Sequence, residues 1–250
     1  MVVAADNGGS APAAPTRTPN SASAARLLIA DGTLEALKWL ALLLMTVDHV
    51  NKYLRDWSTP WMFSAGRLAM PIFAVVLAYN LARSETLAAG AYQRTMKHLA
   101  IGAAVSTVPF VALGKVQFAG GWLPLNILAT LLVATAVMYL LELGGARRML
   151  LAAVVFIVGG ALVEFWWPAI GMAVAAQHYF RRPSFGTAAA VIVCTALVGI
   201  VNGNHWGFAA LAIVLAATRV QLRVPRLRWV FYLYYPAHLA GLWIAQRVLL

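Results

Sequence analysis

Long apolar stretches alternate with short polar or basic segments from about residue 34 to the end of the chain. A helix rises about 1.5 Å per residue, so roughly 20 apolar residues are enough to cross a bilayer core of about 30 Å. The pattern predicts an all-α fold, a polytopic transmembrane helical bundle of about nine spans, with a range of eight to ten. The predicted spans are approximately 34–54, 66–83, 98–114, 121–142, 149–165, 168–180, 186–201, 206–219 and 228–248.

Residues 149–180 are the least regular part of this pattern. One continuous helix there would be about 48 Å long, which is too long for a single crossing. Glu164 and Pro168 offer a bend, because proline interrupts a helix. We therefore expect a tight helical hairpin in this region.

Residues 1–30 have a different composition, rich in Ala, Ser, Pro, Asn and Gly. Such a segment buries too little apolar surface to fold, so it predicts a disordered, cytoplasmic N-terminal tail. Nothing in it has the apolar core of a signal peptide. Residues 31–250 are expected to form a single transmembrane domain.

Composition supports the membrane assignment. Hydrophobic residues make up 62% of the chain and charged residues 11%, whereas soluble chains are usually about 25% charged. The net charge of +11 does not indicate nucleic-acid binding, because the basic residues are spread through short loops. With the N-terminus inside, thirteen of the 19 basic residues fall in inner segments and five in outer ones, which predicts an N-terminus inside and a C-terminus outside.

The first predicted span carries titratable side chains in an otherwise apolar stretch. Lys38 and His49 are eleven residues apart, about three turns plus 20°, so they share one helix face about 16 Å apart along the axis. Titratable groups inside a membrane are costly, and they usually mark a functional site facing the protein interior. Lys38 is expected near the inner face and His49 in the outer half.

Asp48 and Lys52 accompany His49 in sequence. An imidazole oriented by a carboxylate is the usual arrangement of a general base, which predicts catalytic roles for His49 and Asp48. The alternative is a histidine that is hydrogen-bonded within the bundle, or an Asp–Lys pair that only joins two helices.

Two further polar residues lie in later spans. Arg67, at the outer end of the second span, could neutralise Asp48 or stabilise an oxyanion; alternatively its charge simply reaches the membrane interface. Asn126 could hydrogen-bond a substrate or His49, or it could join neighbouring helices.

The last span contains a second intramembrane histidine. Tyr234 and Tyr235 precede His238 by four and three residues and so share its helix face. This group could bind a polar substrate group or relay a proton, whereas the alternative for the tyrosines is an interfacial aromatic belt. Because neither metal-ligand spacing nor a nucleophile-elbow serine occurs, we predict no metal site and favour direct proton abstraction.

These motifs resemble those of one known family. The chain is similar to the TraX family of conjugative-pilin acetylases, which includes the TrbP-type conjugal transfer proteins, in LKWLALLLMTVDHVNKYL, GRLAMPIFAVVLAYNLAR, LPLNIL and FYLYYPAHL, in that order. The spacing from Lys38 to His49 also resembles the basic-x10-His signature of the wider membrane acyltransferase-3 superfamily.

The resemblance implies a multi-pass enzyme of the bacterial inner membrane, with a periplasmic C-terminus. It would transfer an acetyl group from acetyl-CoA to the N-terminal amine of processed pilin. Lys38 would correspond to the basic residue near the acyl-CoA and His49 to the catalytic base, with Asp48 beside it. We assign Lys38, Arg67 and Asn126 to donor binding and Lys52, Tyr234, Tyr235 and His238 to substrate binding.

Several alternatives remain at this stage. The acceptor could instead be another exported protein, a glycan or a lipid-linked group. A transporter or a non-enzymatic assembly protein of a conjugation or pilus system would also be membrane-embedded. The expected partners are the acceptor and membrane lipids, with no nucleic acid, and the oligomeric state is open.

Overall fold

The computed structural model describes residues 27–115 and 118–249. Most of the predicted N-terminal tail, residues 1–26, therefore lies outside the described residues. Residues 27–30 run in a non-helical conformation, and Ile29 is buried there. The hydroxyl of Tyr79 accepts from the Ile29 N–H at 3.0 Å and contacts its carbonyl at 3.1 Å, which fixes the chain just before the first helix.

The described residues form an all-helical fold, as the sequence predicted. Two isolated backbone bridges, at Phe118–Leu123 and Leu125–Val163, are the β-type pairings found there. The α-helices are α1 (Asp31–Leu54), α2 (Pro60–Gly66), α3 (Ala69–Leu81), α4 (Ala91–Ala112), α5 (Ile127–Leu143), α6 (Ala146–Leu162), α7 (Trp166–Arg181), α8 (Phe185–Asn202), α9 (Gly207–Ala217) and α10 (Arg228–Leu249).

The helix boundaries depart from the apolar pattern in a few places. The short helix α2 was not predicted, and α4 begins seven residues before the expected span 98–114. Helix α5 begins later than the expected residue 121, because Pro124 disfavours helix in the residue before it and Asn126 caps the helix that follows. The expected hairpin in 149–180 is present, with the reversal at residues 163–165 between α6 and α7.

Helices α1, α3, α5 and α7 form the centre of the bundle, where Ala41, Ile72, Met138 and Ile170 are fully buried. The first and last helices also pack together, since α10 lies against both α1 and α4. This contact places residues near the two ends of the chain side by side.

Helices α6 and α8 instead expose apolar side chains. Leu150, Ile157 and Ile200 are 68%, 60% and 68% exposed. Two stretches of the described residues are long and apolar enough to cross a bilayer, namely Pro60–Leu81 (22 residues) and Phe185–Asn202 (18 residues). Helix α1 carries several charged residues inside its apolar sequence, and the nine-span count stays a prediction.

Candidate functional site

Two cavities lie along α1, one towards each end. The first has a volume of about 550 Å³ and includes Lys38 in its lining; the second has about 320 Å³ and includes His49. We call them the Lys38 cavity and the His49 cavity. Met45 and Ile127 line both, so these two side chains form the partition between them. The predicted common face of Lys38 and His49 therefore opens into two neighbouring cavities.

His49 is paired with the second histidine that the sequence singled out. Its Nδ1 lies 2.7 Å from Nε2 of His238, and the two rings are nearly coplanar. His238 Nδ1 lies 3.0 Å from the backbone carbonyl of Tyr234, one turn earlier in α10. The residues are 189 positions apart in sequence, and the packing of α10 on α1 brings them together.

This chain of hydrogen bonds sets the tautomer of both neutral rings. A carbonyl only accepts, so Nδ1 of His238 carries its proton and Nε2 is left as an acceptor. His49 must then donate from Nδ1, which leaves the lone pair on its own Nε2. The pairing thus prepares His49 to accept a proton at Nε2.

Asp48 makes a different contact from the one predicted. Its carboxylate accepts from Arg67 Nη2 at 2.5 and 2.6 Å, whereas it was predicted to orient His49. Successive residues of a helix point in different directions, so Asp48 and His49 do not face each other. Arg67 is further held by Asn202 Oδ1 at 3.2 Å and by the carbonyl of Phe63 at 3.3 Å.

Gly66 permits the approach of Asp48 to Arg67. A Cβ on Gly66 would lie 2.3 Å from Asp48 Cβ and 2.6 Å from its Oδ1, far inside normal contact distance. Arg67 therefore neutralises Asp48, as one of the two sequence interpretations held. The guanidinium donors of Arg67 are occupied by Asp48, by Asn202 and by the Phe63 carbonyl.

Lys52 and Glu164 also line the His49 cavity, and they carry opposite charges. The ammonium of Lys52 lies over the rings of Tyr53, Phe110 and Trp57, at 5.1, 5.7 and 5.9 Å from their centroids. Neither Lys52 nor Glu164 takes part in the salt bridges found among the described residues. The cavity thus presents one cation and one anion that are not neutralised by direct pairing.

Lys38 lies at the edge of the larger cavity together with other basic side chains. Its ammonium forms a 2.6 Å salt bridge with Glu35 and lies 4.5 Å from the centre of the Phe231 ring. Arg94 and Arg226 line the same cavity, and Arg226 approaches Glu35 at 3.7 Å. Most of the remaining lining is apolar. A cavity of this kind suits a ligand with a phosphorylated end and an apolar arm.

The two tyrosines of the last predicted motif flank His238. Tyr234 stacks on its ring and contacts Thr46 on α1 through its hydroxyl at 2.7 Å. Tyr235 is buried and lies edge-on to both histidine rings. Both tyrosines therefore pack against the histidine pair, which supports their predicted grouping with His238 on one helix face.

Asn126 has a structural role, which was one of the two alternatives left open by the sequence. It is fully buried, its Oδ1 caps α5 by accepting from the Leu128 N–H at 3.1 Å, and its Nδ2 donates to the Ala103 carbonyl at 3.0 Å. It does not line either cavity as described. The His49 cavity also contains Glu164, which was predicted only to form part of a bend. An acidic residue inside an apolar run was the available signal.

The chain is similar to known proteins of one family. The family model described as TraX protein matches residues 33–246. Protein TraX of Escherichia coli (strain K12) is 47% identical over 58 residues, and a second Protein TraX of Escherichia coli is 42% identical over 57 residues. Each alignment covers 23% of this chain and 23% of the relative, so the chain matches about a quarter of the length of these proteins. No solved structure matches the chain.

Proposed function

We propose, from the premise that this chain belongs to the TraX family, that it is a membrane-embedded acetyltransferase with His49 as its general base. It transfers an acetyl group from acetyl-CoA to the N-terminal amine of pilin or another exported acceptor. The observation that carries the proposal is the pair of cavities that meet at Met45 and Ile127, with a histidine pair beside the partition.

The exposed surface of α6 and α8 supports the membrane location. Soluble proteins rarely expose contiguous apolar patches of more than a few hundred Å². Helix α8 exposes Ile192, Val193, Leu197 and Ile200 over a length that suits a bilayer crossing. We place the chain in the bacterial inner membrane, with its N-terminus in the cytoplasm and its C-terminus in the periplasm.

The Lys38 cavity receives the acyl donor in this proposal. Arg94, Arg226 and Lys38 supply positive charge for the phosphates of acetyl-CoA, and the apolar wall between them and Met45 accommodates the pantetheine arm. Glu35 pairs with Lys38 and lies 3.7 Å from Arg226, which keeps these two cations at the same cavity. The thioester then reaches the partition at Met45, close to the histidine pair.

The His49 cavity receives the acceptor from the opposite side. His49 removes a proton from the attacking amine through its Nε2 and returns it to the departing CoA thiolate. His238 holds His49 in the required tautomer and stabilises the imidazolium that forms. The donors of Arg67 and Asn126 are engaged elsewhere, so the Lys52 ammonium is the side chain best placed to stabilise the developing oxyanion.

Incubation of the purified protein with radiolabelled acetyl-CoA and a peptide that has a free N-terminus tests this function. Label should pass to the peptide, and mass spectrometry should locate it on the N-terminal nitrogen. His49→Ala should reduce the rate by about 10² to 10⁴, the usual effect of losing a general base, while acetyl-CoA binding is retained. A wild-type protein that binds neither acetyl-CoA nor the peptide would contradict the proposal, and ligand-driven transport without a product would indicate a transporter.

A further inference from the structure

We infer that Glu164 binds the acceptor in its ammonium form and takes the first of the two protons that the nitrogen must lose, so that the His49 cavity selects primary amines. This inference rests on the proposed acetyl transfer and goes beyond it by naming a specificity-determining residue. Glu164 would also distinguish an amine acceptor from a hydroxyl acceptor such as a glycan.

The backbone of Glu164 is held independently of its side chain. Its N–H donates to the Leu125 carbonyl at 2.9 Å, and its own carbonyl accepts from the Thr130 hydroxyl at 2.9 Å. The adjoining Val163 pairs with Leu125 in a parallel bridge. The turn between α6 and α7 is therefore fixed to the segment before α5, which places the Glu164 side chain in the lining of the His49 cavity.

The other charged residues of the His49 cavity form no salt bridge with Glu164 among the described residues, so its carboxylate can bind a cationic acceptor. Asp48 and Arg67 neutralise each other, and Lys115 at the cavity edge pairs with Asp56 at 2.5 Å. Lys52 is held over three aromatic rings and forms no salt bridge with Glu164. Aromatic rings stabilise ammonium groups, and two of the rings beneath Lys52, those of Trp57 and Phe110, also line this cavity.

The proton balance of the reaction explains why two bases are needed. An acceptor R–NH₃⁺ must become R–NH–CO–CH₃, so the nitrogen loses two protons as its bond to the acetyl carbon forms and the carbon–sulfur bond of the thioester breaks. Glu164 takes the first proton, which gives a neutral amine and a neutral carboxyl group. His49 takes the second and transfers it to the CoA thiolate, which leaves as CoA–SH. Glu164 releases its proton to water when the product departs.

A hydroxyl acceptor has no such requirement. It is neutral before attack and loses a single proton, which His49 alone accepts. A carboxylate in a partly enclosed cavity costs desolvation free energy, and a neutral hydroxyl acceptor would offset less of that cost than an ammonium group would. With an ammonium acceptor, the positive guest meets Glu164 and the oxyanion meets Lys52, so each of the two unpaired charges has a counterpart in the reaction.

Two peptides of the same sequence test the inference. One ends in an ordinary amine, which is mostly protonated at neutral pH, and the other in an aminooxy group, which is uncharged. Glu164→Gln should raise KM for the amine peptide by roughly ten- to a hundredfold, as expected for a lost charge-assisted hydrogen bond, and leave the aminooxy peptide nearly unaffected. Glu164→Asp should restore part of the activity. Glu85→Gln, at an exposed turn position, is the matched control and should behave as wild type.

The other outcomes overturn the inference. An equal loss with both peptides would make Glu164 a structural residue, and an unchanged KM would remove it from acceptor recognition. If the wild-type protein transfers acetyl to neither peptide, the proposed function fails separately. Calorimetric binding of the amine peptide against its N-acetylated form then decides, because the inference requires a wild-type preference for the amine that Glu164→Gln abolishes.

Discussion

Replacement of His238 by alanine tests the arrangement of the histidine pair most directly. The change removes the acceptor of the 2.7 Å hydrogen bond from His49 Nδ1 and leaves His49 itself intact. His49 is then free to carry its proton on either nitrogen, and only one tautomer presents a lone pair at Nε2. The expected result is a slower reaction with unchanged acetyl-CoA binding.

The magnitude follows from the kind of hydrogen bond that is lost. A bond between neutral groups contributes about 1 to 1.5 kcal/mol, which corresponds to roughly five- to tenfold in tautomer population. Once His49 is protonated, the same bond becomes charge-assisted and contributes about 1.5 to 3 kcal/mol. We therefore expect kcat to fall by about 10- to 100-fold for His238→Ala, less than for His49→Ala.

Nitrogen NMR provides a readout that does not depend on catalysis. In wild-type protein labelled with ¹⁵N-histidine, His49 should show a protonated Nδ1 and an unprotonated Nε2, and His238→Ala should produce a mixture. Tyr234→Phe is the matched control. It removes the hydroxyl contact with Thr46 but keeps the backbone carbonyl that holds His238, so both rate and tautomer should persist. A full kcat and an unchanged His49 spectrum in His238→Ala would refute the reasoning.

Three further predictions concern donor binding, packing and orientation. Lys38→Glu should weaken acetyl-CoA binding much more than peptide binding, and Lys38→Arg should keep most of it; equal effects on both ligands would place the donor elsewhere. Gly66→Ala should destabilise the protein by about 1 to 3 kcal/mol in thermal unfolding, because its Cβ would overlap Asp48, whereas Gly241→Ala, whose Cβ meets no atom within 4 Å, should be nearly neutral. A reporter fused after Leu250 should behave as periplasmic and one fused before residue 30 as cytoplasmic; the same side for both would require a different number of spans.

The sequence was sufficient for those features that depend on local periodicity. The common face of Lys38 and His49 follows from helix geometry, and so does the grouping of the tyrosines with His238. The hairpin within 149–180 followed from the length of the apolar stretch and from Glu164 and Pro168 as a possible bend, and the reversal lies at residues 163–165, before Pro168. These inferences needed no knowledge of which helices are neighbours.

The contacts between helices could not be read in the same way. Asp48 was assigned to His49 because the two are adjacent in sequence, but α1 turns Asp48 towards Arg67 on the α2–α3 segment. Glu164 was overlooked because its place beside the cavity depends on the pairing of its turn with Leu125. Asn126 was expected to bind a substrate or His49 or to join helices, and its capping of α5 was not predicted.

The packing of α10 on α1 also bears on how the protein is made. His238 lies in α10, which is synthesised after the helices that it completes, and Arg226 precedes α10 by two residues. Both cavities take lining or support from residues 226–238, so a nascent chain that has inserted only the helices before α10 still lacks a complete site. A protein terminated before residue 226 would therefore lack both Arg226 and the hydrogen-bond partner of His49, and the proposed acetyl transfer should be absent from it.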